Sequence, residues 1–192
     1  MKRNKAITLK QTSSAAIAVQ RELHTLGLWN VDSKLANVEI YFYPWSVIYE
    51  GFFYIEPTKF YSFFGFEPGH IYIPKYLLIQ LFWQNRGSLR DLIRHEYGHA
   101  LAYHYEDLIE HSMEFKDVFG GHYYAAETSG MKAEAYISEY AKTMPMEDFA
   151  ETFMVYVRRK GILPANIKNV RLKKKWMFIK KTIKIITTNE NR

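Results

Sequence analysis

The chain contains no cysteine, which excludes disulfides, thiolate metal sites and cysteine nucleophiles together. It has no apolar run near the roughly 18 residues that a membrane-spanning helix needs. No internal repeat, low-complexity tract or interdomain linker interrupts it. The opening stretch MKRNKAITLKQTSSAAIAVQRELHTLGLW carries basic residues, but its apolar stretches are too short for a signal peptide before charge and polarity return. Cytoplasmic placement is therefore the default expectation, with secretion open if a leader has been removed.

What is present fits a soluble globular protein. Of the 192 residues, 48% are hydrophobic and 24% charged. One hydrophobic core rarely splits below about 250 residues, so one domain is expected over 1–192. The net charge of +6 is unevenly placed: residues 166–192 hold nine Lys or Arg against one acid, leaving the remainder at −2. Lys173, Lys174, Lys175, Lys180, Lys181 and Lys184 alternate there with Trp176, Met177, Phe178, Ile179, Ile183 and Ile185. Such a basic amphipathic helix suits nucleic acid or an anionic membrane surface. The commoner cause of the pattern is a docked helix with a solvated face. That is the expectation, with nucleic acid disfavoured as a partner and a membrane surface the lesser reading.

Local signals predict an α+β fold. Ser13 or Ser14 can cap a first helix over 13–28, with Ile17, Leu23 and Leu26 as its apolar stripe. From Val38 to Ile73, the runs VEIYFY, VIYEGFFYI and HIYI are separated by Pro44, Pro57, Gly65, Pro68 and Gly69. These read as strands of a small antiparallel or mixed sheet. Seventeen of the 32 aromatics lie between Tyr41 and Trp83, and filling the core of that sheet is their simplest use. Helices are predicted at about 75–85, 88–107, 109–118, 145–160 and 171–186. The resulting plan places a helix and small sheet across about 11–75, site helices across about 76–160 and a basic terminal helix across about 168–187.

The helix predicted at 88–107 carries RHEYGHALAYHY, beginning at Arg94. Ser88 and Asp91 form an S-x-x-D start signal ahead of Leu89, Leu92 and Ile93. Residues four apart stand one turn up on nearly the same face, so the imidazoles of His95 and His99 can aim at one point. Glu96 lies about 100° round the helix, able to approach a metal-bound water without binding the ion. Unpartnered His and Glu on a buried helix are costly, and a metal is the simplest partner.

Catalytic zinc usually takes three protein ligands. The metzincin pattern would need Gly at 102 and His at 105, where the chain has Ala102 and Tyr105, and His104 is one residue out of register. His104 is read as a surface or satisfied core histidine, and neither His111 nor His122 is assigned a role. Farther on, Thr143 can cap and Pro145 can begin a helix on which Glu147 and Glu151 share a side. One acid can ligate while the other orients a ligand.

The HEYGH run at 95–99, followed by Tyr140 and then EDFAETF at 147–153, resembles the gluzincin-type HExxH zinc metallopeptidases related to the catalytic domain of anthrax lethal factor. It is also similar to the Pro-Pro endopeptidases and to bacterial zinc-binding metallopeptidases. The match covers about residues 88–155, and Asp148 stands where some relatives have an aromatic residue. The resemblance implies a zincin-like fold and a Zn²⁺-dependent endopeptidase acting on a protein or peptide substrate. It further implies that Glu147 is the third ligand, that Glu151 supports a ligating histidine, and that the Tyr140 phenol faces the metal-bound water or oxyanion. By the same analogy the GHIYIP segment at 69–74 is expected to be an edge strand free to pair with substrate. The competing expectation is a non-catalytic, zinc-stabilised binding or toxin-like module that uses its aromatic and basic surfaces.

Overall fold

Thr8 starts the first helix, α1 (Leu9–Thr25). Its hydroxyl accepts from the Gln11 backbone N–H at 3.2 Å, and the Gln11 side chain accepts from the Thr8 N–H at 2.9 Å. This reciprocal box sets the start ahead of Ser13 and Ser14, so neither serine caps it. The inward stripe is Ala15, Ala16, Val19 and Leu23, while Ile17 lies exposed. Gly27, at φ +76°, turns the chain after the helix. The computed structural model describes residues 7–43, 52–55, 65–74, 88–127 and 132–190. The helix predicted near 75–85 and the 47–51 part of a predicted strand lie outside these.

Among the described residues, the protein is a mixed α/β structure of five helices with a small three-stranded sheet in the N-terminal half. Strands β1 (Ile40–Tyr43), β2 (Phe52–Phe53) and β3 (Ile71–Pro74) lie in the order β1-β3-β2. β1 runs parallel to β3 and β2 antiparallel to it, so the sheet is mixed. The expectation of a free edge at 69–74 is corrected: β3 is the middle strand. Ile71 N–H donates to Glu39 O on one side, and on the other Tyr54 N–H donates to His70 O, both at 2.9 Å. Among the described residues, the edges are β1 and β2.

Strand alternation splits the aromatics between two layers. Phe53, Ile71 and Ile73 are buried toward the helices, with Ile40 and Phe42 against them. Tyr54, Phe66 and Tyr72 form a separate cluster with Tyr43 and Phe52. Tyr72 is its centre, stacked on Phe52 and edge-on to Phe66.

Helix α2 (Leu89–His104) runs through the middle, and every residue from Asp91 to Ala102 is buried. Ser88 caps it as predicted, accepting from Asp91 N–H. Arg94 ties it to α1 through paired 2.7 Å contacts to Glu22, and to Asp91 at 2.5 Å. Helix α3 (Met113–Phe119) starts at the Ser112 cap and ends at left-handed Gly120, a shorter span than predicted. Helix α4 (Pro145–Arg158) begins with proline at its first position. Its N-cap is Met144, and the Thr143 hydroxyl donates instead to Tyr140 O at 2.8 Å, so Thr143 does not cap it.

α4 packs directly on α2 because Gly98 has no side chain. A Cβ there would meet Ala150 Cα at 3.0 Å and Phe153 Cδ1 at 3.2 Å. Helix α5 (Val170–Glu190) closes the core with Trp176, Phe178, Ile179, Ile183 and Ile186. Its lysines are solvated with one exception. Lys175 is fully buried and donates to Asp148 at 2.5 Å and to Ala135 O at 2.6 Å. Among the described residues, no helix is long and apolar enough to cross a membrane.

Candidate metal centre

The four-residue step along α2 brings the Nε2 atoms of His95 and His99 to 3.1 Å. Glu147, in the first turn of α4, places Oε2 at 3.1 Å from His95 Nε2 and 3.7 Å from His99 Nε2. One donor atom from each residue lies within 4.8 Å of the others, so this buried group could hold a metal ion.

Two observations test the fit. Zinc bound tetrahedrally at about 2.0–2.1 Å separates its ligand atoms by about 3.3 Å, and the three observed distances fall on either side of that value. Glu147 Oε2 is also buried without a hydrogen bond, although it lies within ion-pair range of both imidazoles. A carboxylate oxygen taken out of water needs a donor or a cation, and the two nitrogens beside it are lone-pair donors when neutral. The residues fit a cation.

Around this trio stands a set of hydrogen bonds that fixes the donors. His95 Nδ1 lies 2.9 Å from Glu151 Oε1, and the other Glu151 oxygen accepts from the Ser138 hydroxyl at 2.7 Å. Ser138 is in turn held by the Ala141 N–H at 3.1 Å. His99 Nδ1 lies 3.1 Å from the hydroxyl of fully buried Tyr123. Glu96 does not join the trio. Its Oε2 accepts from the Phe53 N–H of β2 at 2.8 Å, which ties the sheet edge to the carboxylate. Tyr140 sits in a short 3₁₀ segment, partly exposed, with its ring 5.9 Å from that of His95.

Charge is tightly coupled here. Burial opposes a proton on His95, but Glu147 and Glu151 outweigh it and push the ring up to about 9. Burial likewise opposes charge on Glu147, yet the two imidazoles hold its carboxyl well below the usual range. Burial, followed by the Glu110 charge, raises the Tyr123 phenol well above its ordinary value.

The tertiary structure thus gathers His95, His99 and Glu147, sets Glu151 behind His95, and places Glu96 and Tyr140 alongside. His104 stays out, its Nε2 buried with no hydrogen bond, so it is not a satisfied core histidine. Asp148 points away from the site to Lys175. Tyr123, Ser138 and the Phe53 N–H were not legible beforehand, because none has a fixed spacing from the histidines. Pairing with a second carboxylate on the same helix side was the one signal available, and it pointed to Glu151.

The chain matches no known protein family, no curated protein and no solved structure.

Proposed function

We propose that the protein is a Zn²⁺-dependent endopeptidase of the gluzincin type, with a zincin-like arrangement of its site helices. The observation that carries this reading is the unsatisfied Glu147 oxygen facing the paired imidazoles of His95 and His99. A donor set of two neutral imidazoles and one carboxylate favours zinc over harder ions. When bound there, zinc supplies Lewis acidity and lowers the pKa of a coordinated water to about 7.

The chain's own residues divide the remaining work. Glu96 is the general base, taking a proton from the attacking water and giving it to the leaving amine. Its hydrogen bond from Phe53 N–H fixes one carboxylate oxygen. Tyr140 donates its phenolic proton in a hydrogen bond to the oxyanion that develops at the scissile carbonyl. Glu151, braced by Ser138, holds the His95 ring with Nε2 facing His99 and Glu147, where it would bind the metal. The helix dipole at the start of α4 favours ionised Glu147.

The arrangement favours catalysis over a purely structural metal. A structural zinc is closed by four protein ligands, whereas three donors gather here among the described residues and Glu96 is held to one side by the sheet. The deciding experiment is metal analysis of the purified protein, alongside digestion of a mixed peptide library with and without chelator. Glu96→Gln is expected to retain zinc and lose hydrolysis. Full peptidase activity in that variant would overturn the assignment.

A further inference from the structure

The two imidazoles of the site are held by partners of different chemistry. His95 Nδ1 faces a carboxylate of Glu151, whereas His99 Nδ1 faces the phenol of Tyr123. For Nε2 to offer its lone pair to a cation, Nδ1 must carry the ring proton and donate it in a hydrogen bond. An ionised carboxylate only accepts, so Glu151 selects that tautomer and strengthens the ring as a donor. A hydroxyl both accepts and donates, so Tyr123 holds the ring plane of His99 without the same electrostatic push.

We propose that Tyr123 is a positioning residue for His99 and that it makes His99 the weaker of the two imidazole arms of the metal centre. The inference rests on the metal-centre reading above. Tyr123 is suited to the task because its ring is fixed independently of its hydroxyl. Phe115 and Phe149 contact it at centroid distances of 5.5 and 6.3 Å, and Tyr124 packs edge-on at 4.9 Å. Removing only the oxygen therefore leaves the packing in place and isolates the contact with Nδ1.

The test uses Co²⁺ as the probe with wild-type protein, Tyr123→Phe and Glu151→Gln. Tyr123→Phe is expected to fold and to bind Co²⁺ about tenfold more weakly, with a shifted visible absorption band as the His99 ring turns. Glu151→Gln is expected to lose more, approaching 100-fold. Wild-type affinity and an unchanged band in Tyr123→Phe would overturn the proposal, as would a larger loss there than in Glu151→Gln.

Side-chain nitrogen NMR of the metal-free proteins separates this proposal from the reading beneath it. A wild-type protein that takes up no Co²⁺ defeats the metal centre. The Tyr123 contact is then judged by whether Tyr123→Phe moves the His99 Nδ1 resonance and spares that of His95. No movement sinks it, and selective movement upholds it. Should Tyr123→Phe fold poorly, a His99→Phe background decides. There the loss of stability from Tyr123→Phe should vanish, and its persistence would show that the hydroxyl acts elsewhere.

Discussion

Lys175 Nζ and Asp148 Oδ2 meet at 2.5 Å with neither side chain exposed to solvent. The lysine also donates to Ala135 O and lies 4.4 Å from the ring centroid of Tyr136. The contact joins α5 to the first turn of α4, one residue beyond Glu147. Burial pushes Asp148 up to about 7 and Lys175 down, so each ion depends on the other. Lys175→Met or Asp148→Leu alone should cost about 3–5 kcal/mol, because either leaves a buried charge uncompensated. The double variant should lose far less than the two costs combined. Urea unfolding of the four proteins measures the cycle, and additive losses would rule out the coupling.

Gly98→Ala sets two effects against each other. Alanine is the better helix former by about 1 kcal/mol, but the added methyl would press on Ala150 Cα at 3.0 Å and Phe153 Cδ1 at 3.2 Å. Overpacking of this kind costs about 1–3 kcal/mol, and one obstacle is backbone that cannot rotate aside. Net destabilisation and weaker metal uptake are expected, since α2 and α4 must separate. Thermal unfolding with and without Zn²⁺ checks both, and a more stable variant would refute the close helix approach.

Among the described residues, Ser138 hydrogen-bonds not to a candidate metal ligand but to Glu151 Oε2 at 2.7 Å and the Ala141 N–H. Ser138→Ala should therefore keep the fold while lowering zinc affinity about tenfold, the size usual for a residue behind a ligand. Competition with a fluorescent chelator measures this. Unchanged affinity would show that Glu151 holds His95 without help.

His104 gives the fold an acid sensitivity. Burial lowers its pKa, aided by the charge of Lys34, and its Nε2 has no hydrogen bond. The unfolded chain, with an ordinary histidine pKa of about 6.5, takes up a proton before the folded protein does. The contribution is thus complete above about pH 6.5 and is lost as pH falls through the depressed folded value. His104→Phe should flatten the decline in urea midpoint between about pH 7 and 5 relative to wild type. Parallel curves for the two proteins would remove His104 as the source.

Glu147→Ala should lose metal while remaining folded, since the side chain is the proposed third ligand, lies at the rim of the core and is 12% exposed. Equilibrium dialysis against Zn²⁺ provides the measurement. Retention of wild-type affinity would transfer the third position to another acid.

Features set by neighbours along the chain were readable in advance. The turn of a helix alone puts His95 and His99 on one face, Ser88 caps α2, and Pro145 opens α4. Where two local signals competed, the structure chose: Thr8 with Gln11 formed a reciprocal box, so α1 began before the serines. The strand at 71–74 was legible as a strand, but its place between β1 and β2 was not, because pairing depends on segments far away in sequence.

By itself the sequence determined the periodic faces, the caps and the imidazole pair, since these follow from backbone geometry over a few residues. Tertiary packing decided which atoms those groups meet. Gly98 admits α4 close enough for Glu147 to reach the histidines, Tyr123 arrives at His99 from beyond α3, and β2 delivers the Phe53 N–H to Glu96. It also turned Lys175 from an apparent surface charge into a buried partner of Asp148. Burial is a property of the whole core, and no local periodicity fixes which of several neighbouring lysines will be enclosed.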